Sequence, residues 1–362
     1  MLLLFRRMEP RLVRLAAFLL FEILMGAGYI SSISHAAVRF PGLVIFAAFA
    51  YSYLLTSSIA VVMYMVFETV RNHLDAATNQ SRRRALNAAG SALVAAPFAA
   101  MGYGALIERT RFEVRQVEVL LDRLPADLEG LRILHLSDIH LGAFLSEREL
   151  ARVIDASCAL RPHIAFVTGD FISAAGDPLE ACIRQLARVK ADAGMFGCLG
   201  NHERYARAEA KASALAAEAG IPILRGQARL LRWGNAVLNV AGVDYQRGSS
   251  REKYLLGAQQ LVYPEGFNVL LSHNPDVFPV AARQGYNLLL SGHTHGGQIT
   301  FEILDKSINP ARFFTPYVRG LYRLRPEDTS TAAYVTPGIG TIGIPARIGA
   351  PPEISLLTLR KA

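Results

Sequence analysis

The chain has 362 residues, a formal net charge of +8 and a 52% hydrophobic composition, with its longest apolar runs confined to roughly the first hundred residues. Much of the positive balance comes from arginines flanking those runs, not from a stripe on a folded face, which argues against a nucleic-acid partner. Three cysteines, Cys158, Cys182 and Cys198, lack Cys-x-x-Cys spacing and read as buried thiols; a disulfide stays open only for a domain outside the cytoplasm.

Residues 12–30 and 43–67 are each long enough to cross a bilayer, which takes about 20 mostly apolar residues. A third run, 87–107, is richer in Ala and Gly and carries Pro97. Arg6, Arg7, Arg11 and Arg14 lie before or at the start of the first run and Arg71, Arg82, Arg83 and Arg84 lie between the second and third, whereas the first loop has only Arg39. The positive-inside rule then places the N-terminus in the cytoplasm; three spans put the remaining chain outside, two keep it inside. Ser81-Arg-Arg-Arg-Ala-Leu86 reads either as a twin-arginine export signal or as an ordinary basic flank, and both readings take the third run across the membrane. Glu22, in the middle of the first run, has no partner visible in the sequence. The expectation is a membrane region over 1–110, with helices near 12–30, 43–67 and 87–107, and a second domain over 111–362.

The second domain alternates short apolar runs with amphipathic stretches. Strands are expected at 111–120 and 131–137, the latter running into Asp138-Ile-His140. Ser146 and Glu149 form a capping box for a helix to Leu160. A strand at 164–168 leads into Gly169-Asp170, a helix spans 178–190, and a strand at 194–199 ends in Gly200-Asn-His-Glu203. This β-α-β-α-β rhythm implies a parallel sheet with polar residues gathered at its strand ends. A helix over 203–219 follows, and runs at 228–233 and 236–243 joined across Gly234-Asn235 suggest a hairpin that opens a second sheet. Strands at 268–272 and 286–290 precede His273 and Ser291-Gly-His-Thr-His-Gly-Gly-Gln298. In extended backbone His293 and His295 would lie about 7 Å apart, at roughly 3.3 Å per residue. That separation suits one imidazole for each of two metals. Five strand ends thus deliver Asp138, His140, Asp170, Asn201, His273, His293 and His295, while His35, His73, His135 and His163 lack such a context.

Asp138-x-His140, Gly169-Asp170, Gly200-Asn-His-Glu203, His273 and Gly292-His-x-His295 resemble the five signature blocks of the calcineurin-like metallophosphoesterases, over roughly 131–298. Gly320-Leu-Tyr322, Gly338-Ile-Gly340 and Gly349-Ala-Pro-Pro-Glu-Ile354 resemble the tail of the membrane-associated bacterial branch of that superfamily. The resemblance implies a two-sheet α/β sandwich flanked by helices, preceded here by the transmembrane region. It further implies a dinuclear centre in which Asp138, His140, Asp170 and His295 hold one divalent ion and Asp170 bridges to a second held by Asn201, His273 and His293. The mixed N and O donors suit Mn, Fe or Zn. Such a pair acidifies a bridging water for in-line attack on a phosphate ester. His202 is then placed as the acid that meets the leaving group. Phe171-Ile-Ser173 stands where some branches carry an arginine after Gly-Asp, so Arg319 or Arg347 is the expected phosphate contact.

Arg312-Phe-Phe314, Tyr317-Val-Arg319 and Leu321-Tyr-Arg323 read either as a lipid-headgroup surface or as a buried aromatic cluster with solvated arginines. The expected function is a phosphoesterase acting on a phosphoester at the surface of a bacterial inner membrane, multi-pass, with its catalytic domain outside the cytoplasm. A lipid-linked pyrophosphatase of the UDP-diacylglucosamine type, with a cytoplasmic site, and a non-catalytic metal-binding membrane protein are the alternatives.

Overall fold

A computed structural model describes residues 20–26, 41–74, 80–246, 254–303, 306–324 and 330–362. The chain divides into two compact units, Met1–Ala105 with Gly343–Pro345, and Leu106–Ile342 with Ala346–Ala362.

In the first unit residues 20–26 are helical, and the rest of the span expected at 12–30 lies outside the described residues. Two long helices follow, α1 (Pro41–Leu74) and α2 (Gln80–Leu106). The stretches Leu43–Arg71 and Gln80–Thr110 are long and apolar enough to cross a membrane. The second starts earlier than the run at 87–107 because Arg82, Arg83 and Arg84 lie in the first turns of α2. Gly90 lets the two helices approach closely, since a Cβ there would lie 2.6 Å from a ring carbon of Phe67. The sequence showed no partner for Glu22, but Tyr53 donates a hydrogen bond to its carboxylate at 2.5 Å.

The second unit is a two-sheet sandwich. Its elements are β1 (Glu113–Leu121), β2 (Arg132–Leu136), α3 (Glu147–Ala159), β3 (Ile164–Thr168), α4 (Leu179–Leu186), β4 (Met195–Cys198), α5 (Asn201–Tyr205) and α6 (Glu209–Glu218), followed by β5 (Gln227–Trp233), β6 (Ala236–Gly242), β7 (Phe267–Leu271), α7 (Phe278–Gln284) and β8 (Leu288–Ser291). The chain ends with β9 (Phe301–Ile303), β10 (Lys306–Ile308), β11 (Gly320–Tyr322), β12 (Ala332–Val335) and β13 (Glu353–Lys361). Sheet 1 has the order β1-β13-β2-β3-β4 and sheet 2 the order β11-β12-β8-β7-β6-β5. β2, β3 and β4 are parallel, as the β-α-β rhythm implies.

Successive residues of the central strands enter different cores, which is what covers both faces of each sheet. Ile133, Ile164 and Phe166 meet Val269, Leu271, Leu288 and Leu290 in the layer between the sheets. Leu134, Ala165 and Val167 face α3 and α4 on the outside of sheet 1. Leu270 and Leu289 pack against α7 on the outside of sheet 2. Strands buried on both faces read as largely apolar runs, which leaves the polar residues of the site to the strand ends, while His135 and Asn239 are buried within β2 and β6.

Two expectations change, and one strand pairing is new to the structure. The helix expected over 203–219 is two helices, because Arg207 adopts φ 54° and the Ala208 amide turns back to the Glu203 carbonyl. The last apolar run of sheet 2 starts its ladder at Leu288; Tyr286 lies ahead of it with its hydroxyl on the Ala258 carbonyl. β13 inserts between β1 and β2, parallel to the first and antiparallel to the second, a pairing that local periodicity could not reveal. The three cysteines are free.

Candidate metal centre

All seven residues singled out at strand ends lie beyond β2, β3, β4, β7 and β8 along one edge of the sandwich. Five of them, Asp138, His140, Asp170, His293 and His295, have φ between 49° and 74°. Such left-handed backbone is uncommon outside glycine and concentrates at functional sites. It lets each chain turn sharply just past its strand and aim a side chain along the sheet edge. Neighbouring glycines make room: a Cβ on Gly292 would overlap the Asp138 carboxylate and the Ser137 hydroxyl, and one on Gly200 would overlap Asp170.

The side chains converge as three overlapping triads, Asp138-His140-His295, His140-Asp170-His202 and Asp170-His273-His293, with ligand atoms in each within 4.8 Å of one another. Asp170 Oδ2 is 3.4 Å from His140 Nε2 and 3.1 Å from His273 Nε2, so one carboxylate oxygen is shared by both ends of the cluster. His295 Nε2 lies 3.3 Å from Asp138 Oδ1, and His293 Nδ1 lies 3.2 Å from His273 Nε2. Asn201 is buried beside them.

The surrounding groups fix orientation. His273 Nδ1 donates to the Thr168 carbonyl at 2.6 Å, leaving Nε2 turned to the carboxylates. His202 Nδ1 donates to the Ser173 carbonyl at 2.7 Å, and the Ser173 hydroxyl lies 3.1 Å from His140 Nδ1. The Glu203 carboxylate accepts from the amides of Asp170, Phe171 and Gly200, tying the second and third blocks together. The tail motif serves the first block: the Ile339 amide donates to the Ser137 carbonyl and the Gly340 amide to the Asp138 carbonyl.

Burial disfavours charge throughout. It pushes His293 down to about 3, with the neighbouring His273 charge adding to the effect, and it also lowers His295 and His202. His273 and Asp170 are the exceptions: against burial, the charges of Asp170 and Asp138 and its hydrogen bonds push His273 up to about 10, and His273 and His140 hold Asp170 well below the usual carboxylate range. Burial and the Asp170 charge raise Glu203 to about 7.

Divalent metal ions fit this donor set. His140 Nε2, Asn201 Oδ1 and His295 Nδ1 are buried without hydrogen-bond partners among the described residues, and three orphaned donors or acceptors in one cluster are costly unless an ion completes them.

Two expected phosphate contacts divide. Arg347 is fully buried, and its guanidinium donates to the carbonyls of Pro337, Gly338, Gly340 and Ala350, so it braces the tail motif and cannot reach a substrate. Arg319 is half-buried beside the metal-side turn, its Cδ 3.5 Å from where a Gly296 Cβ would be. Tyr245 went unnoticed in the sequence, although it stands three residues past β6; its hydroxyl is 3.4 Å from His293 Nε2. Outside the cluster, His135 Nε2 pairs with the Thr168 hydroxyl and His163 Nδ1 accepts from the Arg132 amide. His35 lies outside the described residues.

A two-sheet α/β sandwich with carboxylates, an amide and imidazoles gathered at one edge has the layout of a metal-dependent phosphoric ester hydrolase. Residues 131–297 match the family model for calcineurin-like phosphoesterase. An uncharacterized metallophosphoesterase of Aquifex aeolicus is 31% identical over 259 residues, covering 70% of this chain and 94% of its own. The uncharacterized metallophosphoesterase YkuE of Bacillus subtilis is 29% identical over 77% of this chain and 98% of its own. The chain belongs to the calcineurin-like phosphoesterase family. A transmembrane protein with metallophosphoesterase domain from Danio rerio is 33% identical over 69% of this chain, and the match spans 58% of that relative's length.

Proposed function

We propose that this chain is a membrane-anchored, dinuclear metal-dependent phosphoesterase that hydrolyses a phosphate ester at the membrane surface. The observation that carries it is the sharing of Asp170 between the two ends of a buried carboxylate-imidazole cluster. Asp138, His140, Asp170 and His295 would hold one divalent ion and Asp170, Asn201, His273 and His293 the other. Mn, Fe or Zn bound there would supply the activated water and clamp the phosphoryl oxygens. His202, its ring edge-on to His140 at 4.7 Å between centroids, would act as the acid on the leaving group. Arg319 and Tyr245 flank the cluster as substrate contacts.

Purified full-length chain is expected to cleave a chromogenic phosphodiester, to lose that activity to a chelator, and to regain it with added Mn²⁺. A protein that carries its full metal complement yet hydrolyses neither mono- nor diesters would be a metal-binding protein without catalysis.

The substrate reading rests on chain length. α2 ends at Leu106 and β1 starts at Glu113. At no more than about 3.6 Å per residue, the connection reaches roughly 25 Å, which favours lipid or envelope-linked phosphoesters over soluble ones. With three spans, the arginine asymmetry supports a multi-pass protein of a bacterial inner membrane with the second unit outside the cytoplasm. An alkaline-phosphatase reporter fused after Ala362 should therefore be active and a cytoplasm-only fluorescent reporter dark. The reverse pattern would support the lipid-linked pyrophosphatase.

A further inference from the structure

Beyond the metal-side turn the chain forms an apolar tip. β9 and β10 are antiparallel with Phe301 opposite Ile308, so these side chains are cross-strand neighbours; they are 49% and 54% exposed. Asn309 then caps the turn Pro310–Phe313, accepting from the Arg312 amide. Phe313 and Phe314 are 88% and 82% exposed, and Arg312 beside them is exposed. Each large apolar side chain left in water forgoes the stabilisation that burial would give. Of the aromatic and arginine stretch, only this part is uncovered: Tyr317 packs edge-on against Phe278 and Tyr322, and the Tyr322 hydroxyl accepts from the Val318 amide.

We propose that this tip enters the interfacial layer of an anionic lipid bilayer, with Phe313 and Phe314 at the acyl boundary and Arg312 among the headgroup phosphates. Charge favours lipid over a protein partner. From Phe301 to Arg323 the chain carries four cationic residues against two acidic ones, Glu302 and Asp305, and the exposed segment 310–314 holds Arg312 with two phenylalanines and no acid, the mixture of basic and aromatic groups that an anionic membrane surface takes.

Position favours it as well. At the end of the candidate span, where the chain enters the second unit, the Glu108 carboxylate lies close to the amides of Gly349 and Ala350. The Gly349 carbonyl accepts from Arg319 at 2.8 Å, and the Ile348 carbonyl accepts from the amide of Thr300, the residue before β9. One short segment, 348–350, therefore joins the entry of the chain to the base of the tip. The tip is also tied to the metal-side turn, because Gly297, at φ +80°, abuts Asn309 so closely that a Cβ would lie 2.5 Å from its Cγ. Seating Phe313 and Phe314 in lipid would hold the centre's mouth at the headgroups. That consequence rests on the proposed phosphoesterase reading; the insertion itself does not.

The test is tryptophan fluorescence of the full chain in nanodiscs of phosphatidylglycerol and phosphatidylethanolamine, with or without brominated acyl chains. Trp233 is the chain's only tryptophan, so Phe314→Trp in a Trp233→Phe background reports on the tip alone. Emission is expected to shift to the blue and to be quenched about twofold or more by the brominated lipid, the depth at which interfacial side chains sit. Leu230→Trp in the same background, 55% exposed on β5 at the far edge of sheet 2 from β11, should remain unquenched. Water-like emission from the tip, or a blue shift without quenching, would overturn the proposal. Hydrolysis of a small chromogenic diester by the same variants is read in parallel. Its presence without quenching would sink the insertion alone, and its absence in wild type would sink the phosphoesterase reading alone.

Discussion

Asp170→Asn is expected to reduce hydrolysis to background and to strip the protein of metal, whereas His202→Ala should lose activity with its metal content intact. The difference follows from position. Asp170 Oδ2 stands within 3.4 Å of imidazole nitrogens at both ends of the cluster, so an amide there removes negative charge from both halves at once. Its other oxygen accepts from the His202 amide at 2.8 Å, and its own amide is held by Glu203, so the backbone should keep its shape while the donor set fails. Removing an outer partner of a metal ligand typically costs 10–100-fold, and losing the shared ligand should exceed that range. His202 is anchored through Ser173 and loses only proton transfer or charge stabilisation when truncated, an effect of about 10²–10⁴-fold. Metal analysis of the two purified variants beside their turnover numbers checks the assignment. An Asp170→Asn protein that kept two ions and near-normal turnover would show that the carboxylate is not shared.

Much of the centre was legible in the sequence for one physical reason. The central strands are covered on both faces, so they read as apolar runs with sharp ends, and the polar residues within about three positions of each end are held at the sheet edge. Asp138, Asp170, Asn201, His273 and His293 all follow that rule. Tyr245 follows it too, three residues past β6, and could have been found by applying it to the second sheet's hairpin. Other features were out of reach because they are set by distant chain. β13 reaches its place in sheet 1 from more than 200 residues away, and the tail motif rests on Asp138 only because that strand brings it there. The break between α5 and α6 has no Gly or Pro to mark it; Arg207 supplies the left-handed residue that usually calls for glycine. Arg347 misled for the same reason, since an arginine in a loop reads as a surface charge until its surroundings are known.

That residue gives the second large effect. Arg347→Met is expected to destabilise the second unit by about 3 kcal/mol or more, because buried carbonyls left without donors cost about 1–3 kcal/mol each. In the folded protein the guanidinium binds Pro337, Gly338, Gly340 and Ala350, and burial lowers it to about 10, so it still carries its charge at neutral pH. The loop it braces carries Gly338 and Gly340. A Cβ on Gly338 would lie 2.5 Å from Asp138 Cβ, and the Gly340 amide holds the Asp138 carbonyl. Loss of the brace should therefore loosen the Asp138 end of the cluster before the Asp170-His273-His293 end. The unfolding midpoint is expected to fall by roughly 6–12 °C for a unit of this size. One of the two ions should become easier to remove by titrated chelator, while KM for a small chromogenic ester stays near the wild-type value in fully metallated protein. Arg319→Met should do the opposite, raising KM with little change in the midpoint. If Arg347→Met instead raised KM at unchanged stability and metal affinity, the guanidinium would be a substrate contact and its role as a brace would be refuted.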